Sequence, residues 1–124
     1  MDRIFFVIGA LSAGVGVAAG AFGAHGLKSR LSPEMFSVFE VGVRYQMYHV
    51  FALMATAWAK TRWPSSLVVI GGWLFVVGIV LFSGSLYLLS LSGMHWPGIV
   101  TPLGGVALLA GWVCLGWGVW RRHK

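Results

Sequence analysis

The stretch "EMFSVFEVGVRYQMYHVFALMATAWAK", Glu34–Lys60, contains no proline and one glycine, Gly42. It also holds nearly all the ionisable side chains that interrupt apolar sequence: Glu40, Arg44, Tyr45, Tyr48 and His49, with the amide of Gln46 among them. Just upstream, Ser32 can cap a helix, Pro33 suits a first helical position, and Glu34 complements the positive helix end. Pro33–Lys60 therefore reads as one helix of about 42 Å at 1.5 Å per residue. A bilayer core is about 30 Å thick. The first turns are expected in the outer interface and residues 41–60 across the membrane.

The flanking sequence sets the same scale. Ile4–Ala24 is free of charge and, as a helix, is about 31 Å long. A cleaved leader is the rival reading, because Ala19-Gly20-Ala21 resembles a small-residue cleavage site. The run exceeds the usual apolar region of about 7–15 residues, and Arg3 alone makes a thin basic start. "KSRLSPE" (Lys28–Glu34) is a loop and helix start, and "TRWPSS" (Thr61–Ser66) is a tight connection. Leu67–Leu91 is a third span, long enough to tilt or protrude. "SGMHWPGIVT" (Ser92–Thr101) is punctuated as a loop, and Pro102–Trp120 is a fourth span opened by a proline. The fold class is an all-α membrane protein. It is one domain over residues 1–124, a four-transmembrane-helix bundle with a long second helix and spans at 4–24, 41–60, 67–91 and 102–120.

Composition agrees. Of 124 residues, 58% are hydrophobic and 10% charged, against about 25% charged in soluble domains. So short a chain has too little interior to hide such runs from water. The formal net charge of +6 does not mark a nucleic-acid binder, because the basic residues lie at the ends of apolar runs and form no patch. They read as topology signals and lipid contacts. Arg3, Arg121, Arg122, Lys124, Lys60 and Arg62 fall on one side, and Lys28, Arg30 and Arg44 on the other, which predicts cytoplasmic termini. Trp58, Trp63, Trp96, Trp112, Trp117 and Trp120 are read mostly as interfacial aromatics. The single cysteine, Cys114, reads as a small buried hydrophobe.

Lipid provides no hydrophobic drive for helix pairing, so close backbone packing must hold the bundle. Ser12, Gly16, Gly20 and Ala24 recur at steps of four on one face, with Gly23 beside them and a second row of Ala10, Gly14 and Ala18. Gly84 in the third span and Gly104, Gly105 and Gly111 in the fourth are further candidates for helix packing. These glycines fit either partners within the chain or a homo-oligomer.

Polar residues inside a membrane are expensive and mark sites by default. Glu40 and Arg44 are four apart and can pair, as an interfacial ion pair at the outer edge. Tyr45, Gln46 and His49 form a second polar face, with His49 near mid-membrane and expected to reach a hydroxyl on the third span: Ser83, Ser85 or Tyr87. His25 and Thr101 belong to the same outer level. Three accounts are open: a structural hydrogen-bond network joining the first three helices, a binding pocket or permeation vestibule, and a metal site of His25, His49 and His95. No HxxxH or Cys–His spacing supports metal. No deep carboxylate pair, nucleophile–base spacing or phosphate loop supports catalysis, and no cofactor is implied.

"GAFGAHGL" (Gly20–Leu27), "YQMYHVFAL" (Tyr45–Leu53), "FSGSLYLLSLSG" (Phe82–Gly93) and "TPLGG" (Thr101–Gly105), in that order along the chain, resemble the domain-of-unknown-function 423 family. These are small YgdD-like multi-pass inner-membrane proteins. The resemblance implies a multi-pass membrane protein without an assigned catalytic or ligand role. The expected function is a structural or accessory membrane bundle. The alternative is an oligomeric transporter or channel for a small solute with an outward-facing polar pocket. Small multidrug transporters use a deep carboxylate in the first span, and Ile4–Ala24 has none. The expected partner is the lipid bilayer, with a second copy where one chain does not use all the glycine faces itself, and no nucleic acid.

Overall fold

A computed structural model describes residues 2–121. Arg122 and Lys124, two of the topology signals, lie outside the described residues. Every described element is helical: α1 (Asp2–Phe22), a π-helical turn (Gly23–Leu27), α2 (Pro33–Arg62), α3 (Ser66–Ser92) and α4 (Pro97–Arg121).

Local chemistry sets the ends. The Ser32 hydroxyl accepts from the Met35 amide at 3.2 Å, and Pro33 takes the first helical position of α2. Pro64 disfavours helical backbone at Trp63, so α2 stops beside it. Ser65 caps α3, its hydroxyl accepting from the Leu67 amide at 3.2 Å. At the far end Gly93 turns left-handed, with φ of 75°, and returns its amide to the Leu89 carbonyl at 3.0 Å. The fourth helix corrects the sequence reading. It begins at Pro97, so Pro102 lies inside it and the "SGMHWPGIVT" loop is confined to Gly93–Trp96. Pro97 already supplies the preset first-turn backbone, and Pro102 removes one amide bond near the helix start.

Three of the helices are long and apolar enough to cross a membrane: Arg3–Leu27 (25 residues), Ser66–Ser92 (27 residues) and Pro97–Arg121 (25 residues). α2 is long enough but not apolar enough, because Tyr45, Gln46, Tyr48 and His49 join the charges at Glu34, Glu40, Arg44, Lys60 and Arg62. Between Arg44 and Lys60 it carries no charge.

α2 and α3 form the central pair; α1 lies along α2, and α4 lies along α3. The α3–α4 pair keeps one antiparallel register through small residues. Gly118 lies over Val68, Gly111 over Phe75 and Gly71, Leu108 over Gly78, and Gly104 over the Phe82 backbone. Gly104, Gly111 and Gly118 recur at every seventh position, so they stay on the seam. On the other flank Gly16 faces Met47, Gly20 faces Val43 and Gly23 faces the Phe39 ring. Gly105 makes only ordinary contact with the Phe82 ring, at 3.8 Å from where a Cβ would lie. Gly84 does not pack helices: nothing lies within 4 Å of its Cβ position. It is turned toward an open side near Leu88, Trp96 and Val100. Ala10, Gly14 and Ala18 are likewise exposed.

The apolar core of Phe5, Ala52, Leu53, Ala57, Phe75 and Leu108 sits toward the end where α2 meets Lys60. Phe5 fills the space left by Gly72 and meets Trp73 edge-on at 5.2 Å. Outward faces are apolar too: Leu11, Val17, Val80, Ile99, Leu109 and Val113 are all exposed. A surface of this kind suits lipid.

Candidate functional site

Buried polarity runs as a seam through the middle of the helices and the half nearer the α1–α2 turn. Its centre is Gln46, 4% exposed on α2. The Gln46 Nε2 donates to the Ser12 carbonyl at 2.7 Å and reaches the Ser12 hydroxyl at 3.2 Å. On its other side the Tyr87 hydroxyl donates to Gln46 Oε1 at 2.5 Å. One amide therefore ties α1, α2 and α3 together. Gly42 makes this possible, since a Cβ there would lie 2.9 Å from the Tyr87 ring. The ring lies on that glycine and against Phe39, with centroids 5.1 Å apart. One helical turn further on is Gln46. Ser83 closes the same interface, donating to the Gly42 carbonyl at 2.6 Å.

His49 faces a different helix. Its Nδ1 lies 2.7 Å from the Tyr45 carbonyl, and the Trp112 indole N–H donates to its Nε2 at 3.0 Å. A carbonyl can only accept and an indole N–H can only donate. Those partners select the neutral Nδ1–H tautomer. The ring is 5% exposed and packs against Phe75 and Trp112, with centroids at 5.7 and 5.8 Å. Tyr45 stacks on it at 6.4 Å but is itself 39% exposed. The expected hydroxyl partner on α3 is thus replaced by an indole on α4. Gln46 and His49, three residues apart, diverge to opposite interfaces instead of sharing one polar face.

The remaining expected residues divide cleanly. Ser85 meets the Thr101 hydroxyl of α4 at 2.5 Å and also lies 2.9 Å from the Phe82 carbonyl. His25 is exposed in the π-helical turn, formed where the Lys28 amide reaches back to the Gly23 carbonyl at 3.0 Å. It takes no part in the seam. Glu40 and Arg44 are both exposed and, among the described residues, form no ion pair with each other or with any other group. They line a small groove with Gly20, Gly23, Phe36 and Phe39. His25, His49 and His95 are not brought together: among the described residues no three His, Cys, Asp or Glu groups converge. Every buried side-chain nitrogen and oxygen among the described residues has a hydrogen-bond partner.

Sequence reasoning missed Trp112, Gly42 and the acceptor role of Ser12. Each left a signal. Trp112 is the tryptophan farthest from the ends of its helix, where an indole N–H needs a partner. Gly42 is the only glycine of α2, and Ser12 is the only hydroxyl of α1.

A side groove lies beside His49, lined by Tyr45, Phe82, Leu108, Leu109 and Trp112. It is aromatic and aliphatic, and the polar atoms of His49 are already engaged there. As it stands, the seam can hold helices in register.

The family model described as "Protein of unknown function (DUF423)" matches residues 19–105. That span includes every residue of the seam except Ser12 and Trp112. The UPF0382 membrane protein YwdK of Bacillus subtilis is 41% identical over 114 residues, covering 91% of this chain and 93% of that protein. A UPF0382 membrane protein of Staphylococcus saprophyticus is 43% identical over 119 residues, covering 91% of this chain and 93% of that protein. One from Staphylococcus haemolyticus is 41% identical over 119 residues, covering 91% and 92%. No solved structure matches.

Proposed function

The chain belongs to the DUF423 family of membrane proteins, and from that premise we propose that it is a four-span structural or accessory protein of the bacterial plasma membrane whose polar seam holds the helices together. The carrying observation is that every buried side-chain polar atom among the described residues is already partnered, mostly between helices or into a helix's own backbone. Within the seam the Gln46 amide, the His49 ring and the Ser83 hydroxyl are each engaged by protein partners.

Crossing by α2 is supported by its neighbours. It packs along α1 and α3, both apolar enough to span, so it shares their slab. Its charge-free stretch from Tyr45 to Ala59 is about 22 Å long, and Arg44 and Lys60 have side chains long enough to reach the interfaces from its two ends. Trp58 and Trp63 meet edge-on at 5.2 Å, and Arg62 lies 5.5 Å over the Trp63 ring, an arrangement suited to a headgroup layer. Basic residues weighted toward the termini and the α2–α3 connection favour cytoplasmic termini.

His49→Ala separates the structural role from transport. A packing role predicts lower thermal stability in detergent, by about 0.5–2 kcal/mol for one interhelical bond, with no change in solute permeability of proteoliposomes. Unchanged stability together with lost solute flux would favour the transporter instead.

A further inference from the structure

We propose that the groove between the π-helical turn and α2 holds the headgroup of a phospholipid bearing a primary ammonium, with Arg44 taking the phosphate and Glu40 the ammonium. This rests on the reading that α2 crosses the membrane. Glu40 and Arg44 line one groove, are exposed, and form no ion pair among the described residues. Charges at the edge of a low-dielectric slab are costly without counter-charges. One zwitterion supplies both.

The order along the helix also fits. α2 enters the membrane from its Pro33 end, so Arg44 lies about 6 Å deeper than Glu40. In an ethanolamine phospholipid the ammonium lies on the water side of the phosphate, with the acyl chains below. The deeper cation thus faces the phosphate and the outer carboxylate faces the ammonium. This order holds whichever leaflet receives the Pro33 end. Apart from Glu40 and Arg44 the groove is lined by apolar and small residues, and the lack of side chains at its glycines leaves it room. Gly20 of α1 and Gly23 of the π-helical turn form one wall, and Phe36 and Phe39, on the Pro33 side of Glu40, form part of the other. A carboxylate at this position repels an anionic headgroup. Lys28 and Arg30, in the turn that follows, do not line the groove, and they provide the competing possibility of an anionic lipid.

The test uses the purified full chain in a mixture of phosphatidylethanolamine, phosphatidylcholine and phosphatidylglycerol, with bound lipid read by native mass spectrometry. The wild type is expected to retain phosphatidylethanolamine over the other two by about two- to fivefold, the effect of one exposed ion pair. Glu40→Gln is expected to erase the preference over phosphatidylcholine, and Arg44→Gln to lower retention of all three. Preferential retention of phosphatidylglycerol, or a phosphatidylethanolamine preference that survives both substitutions, overturns the assignment. If either variant fails to fold, the wild-type ranking decides. Ser29→Cys and Thr61→Cys, in a Cys114→Ala background, report separately on crossing. Labelling of both from one side overturns the spanning reading and the depth order with it. Labelling from opposite sides leaves any failure to the site alone.

Discussion

At the residue scale, the seam shows how a membrane interior specifies pairing. An amide in lipid has no water to fall back on, so each donor and acceptor of Gln46 must find a protein partner. It finds Ser12 on one flank and Tyr87 on the other. Gln46→Leu strands both partners, whereas Tyr87→Phe strands only one acceptor. We expect Gln46→Leu to cost about 1–3 kcal/mol and Tyr87→Phe less, in unfolding measured in detergent micelles. Equal costs would mean that the amide is held by Tyr87 alone. The need for partners was legible in the sequence, because Gln46, His49, Ser83 and Tyr87 are polar groups in apolar runs. Their pairing was not. Whether His49 meets a hydroxyl of α3 or the indole of Trp112 depends on the rotation of helices about their axes, and one sequence does not encode that angle in any local pattern.

At the element scale, glycine spacing carries the helix contacts, but spacing alone does not distinguish a packed glycine from an exposed one. Gly84 and Gly104 illustrate this. A Cβ on Gly104 would overlap the Phe82 backbone, while one on Gly84 would meet nothing. Backbone atoms cannot swing aside as a side-chain tip can, so Gly104→Val should force α3 and α4 apart. We expect it to lower thermal stability by more than about 2 kcal/mol, with Gly84→Ala within about 0.5 kcal/mol of wild type in the same assay. The seven-residue recurrence of Gly104, Gly111 and Gly118 was present in the sequence. Its meaning required α3, whose Gly71 and Gly78 answer it from the opposite direction. The start of α4 was misplaced for a related reason: Pro97 and Pro102 are both plausible first-turn prolines, and helix continuity across the second was not visible locally.

At the scale of the whole molecule, the distribution of polarity is uneven. Apolar side chains fill the end near Lys60, and hydrogen bonds fill the half toward the α1–α2 turn. With cytoplasmic termini the polar half faces outward. A cysteine at Ser29, again with Cys114 replaced, should then react with an impermeant thiol reagent added to intact cells; protection there until the cells are broken would reverse the orientation. Sequence by itself determined that the protein is helical, that its long apolar runs belong in lipid, and which polar residues had to be satisfied inside. Those properties follow from composition and period along a single chain. Tertiary structure alone decided which helix answers each polar group, which glycines are seams, and that His25, Glu40 and Arg44 stand outside the network. Those outcomes depend on how four cylinders are rotated and staggered against one another, a geometry set by the sum of many weak contacts and by no single motif.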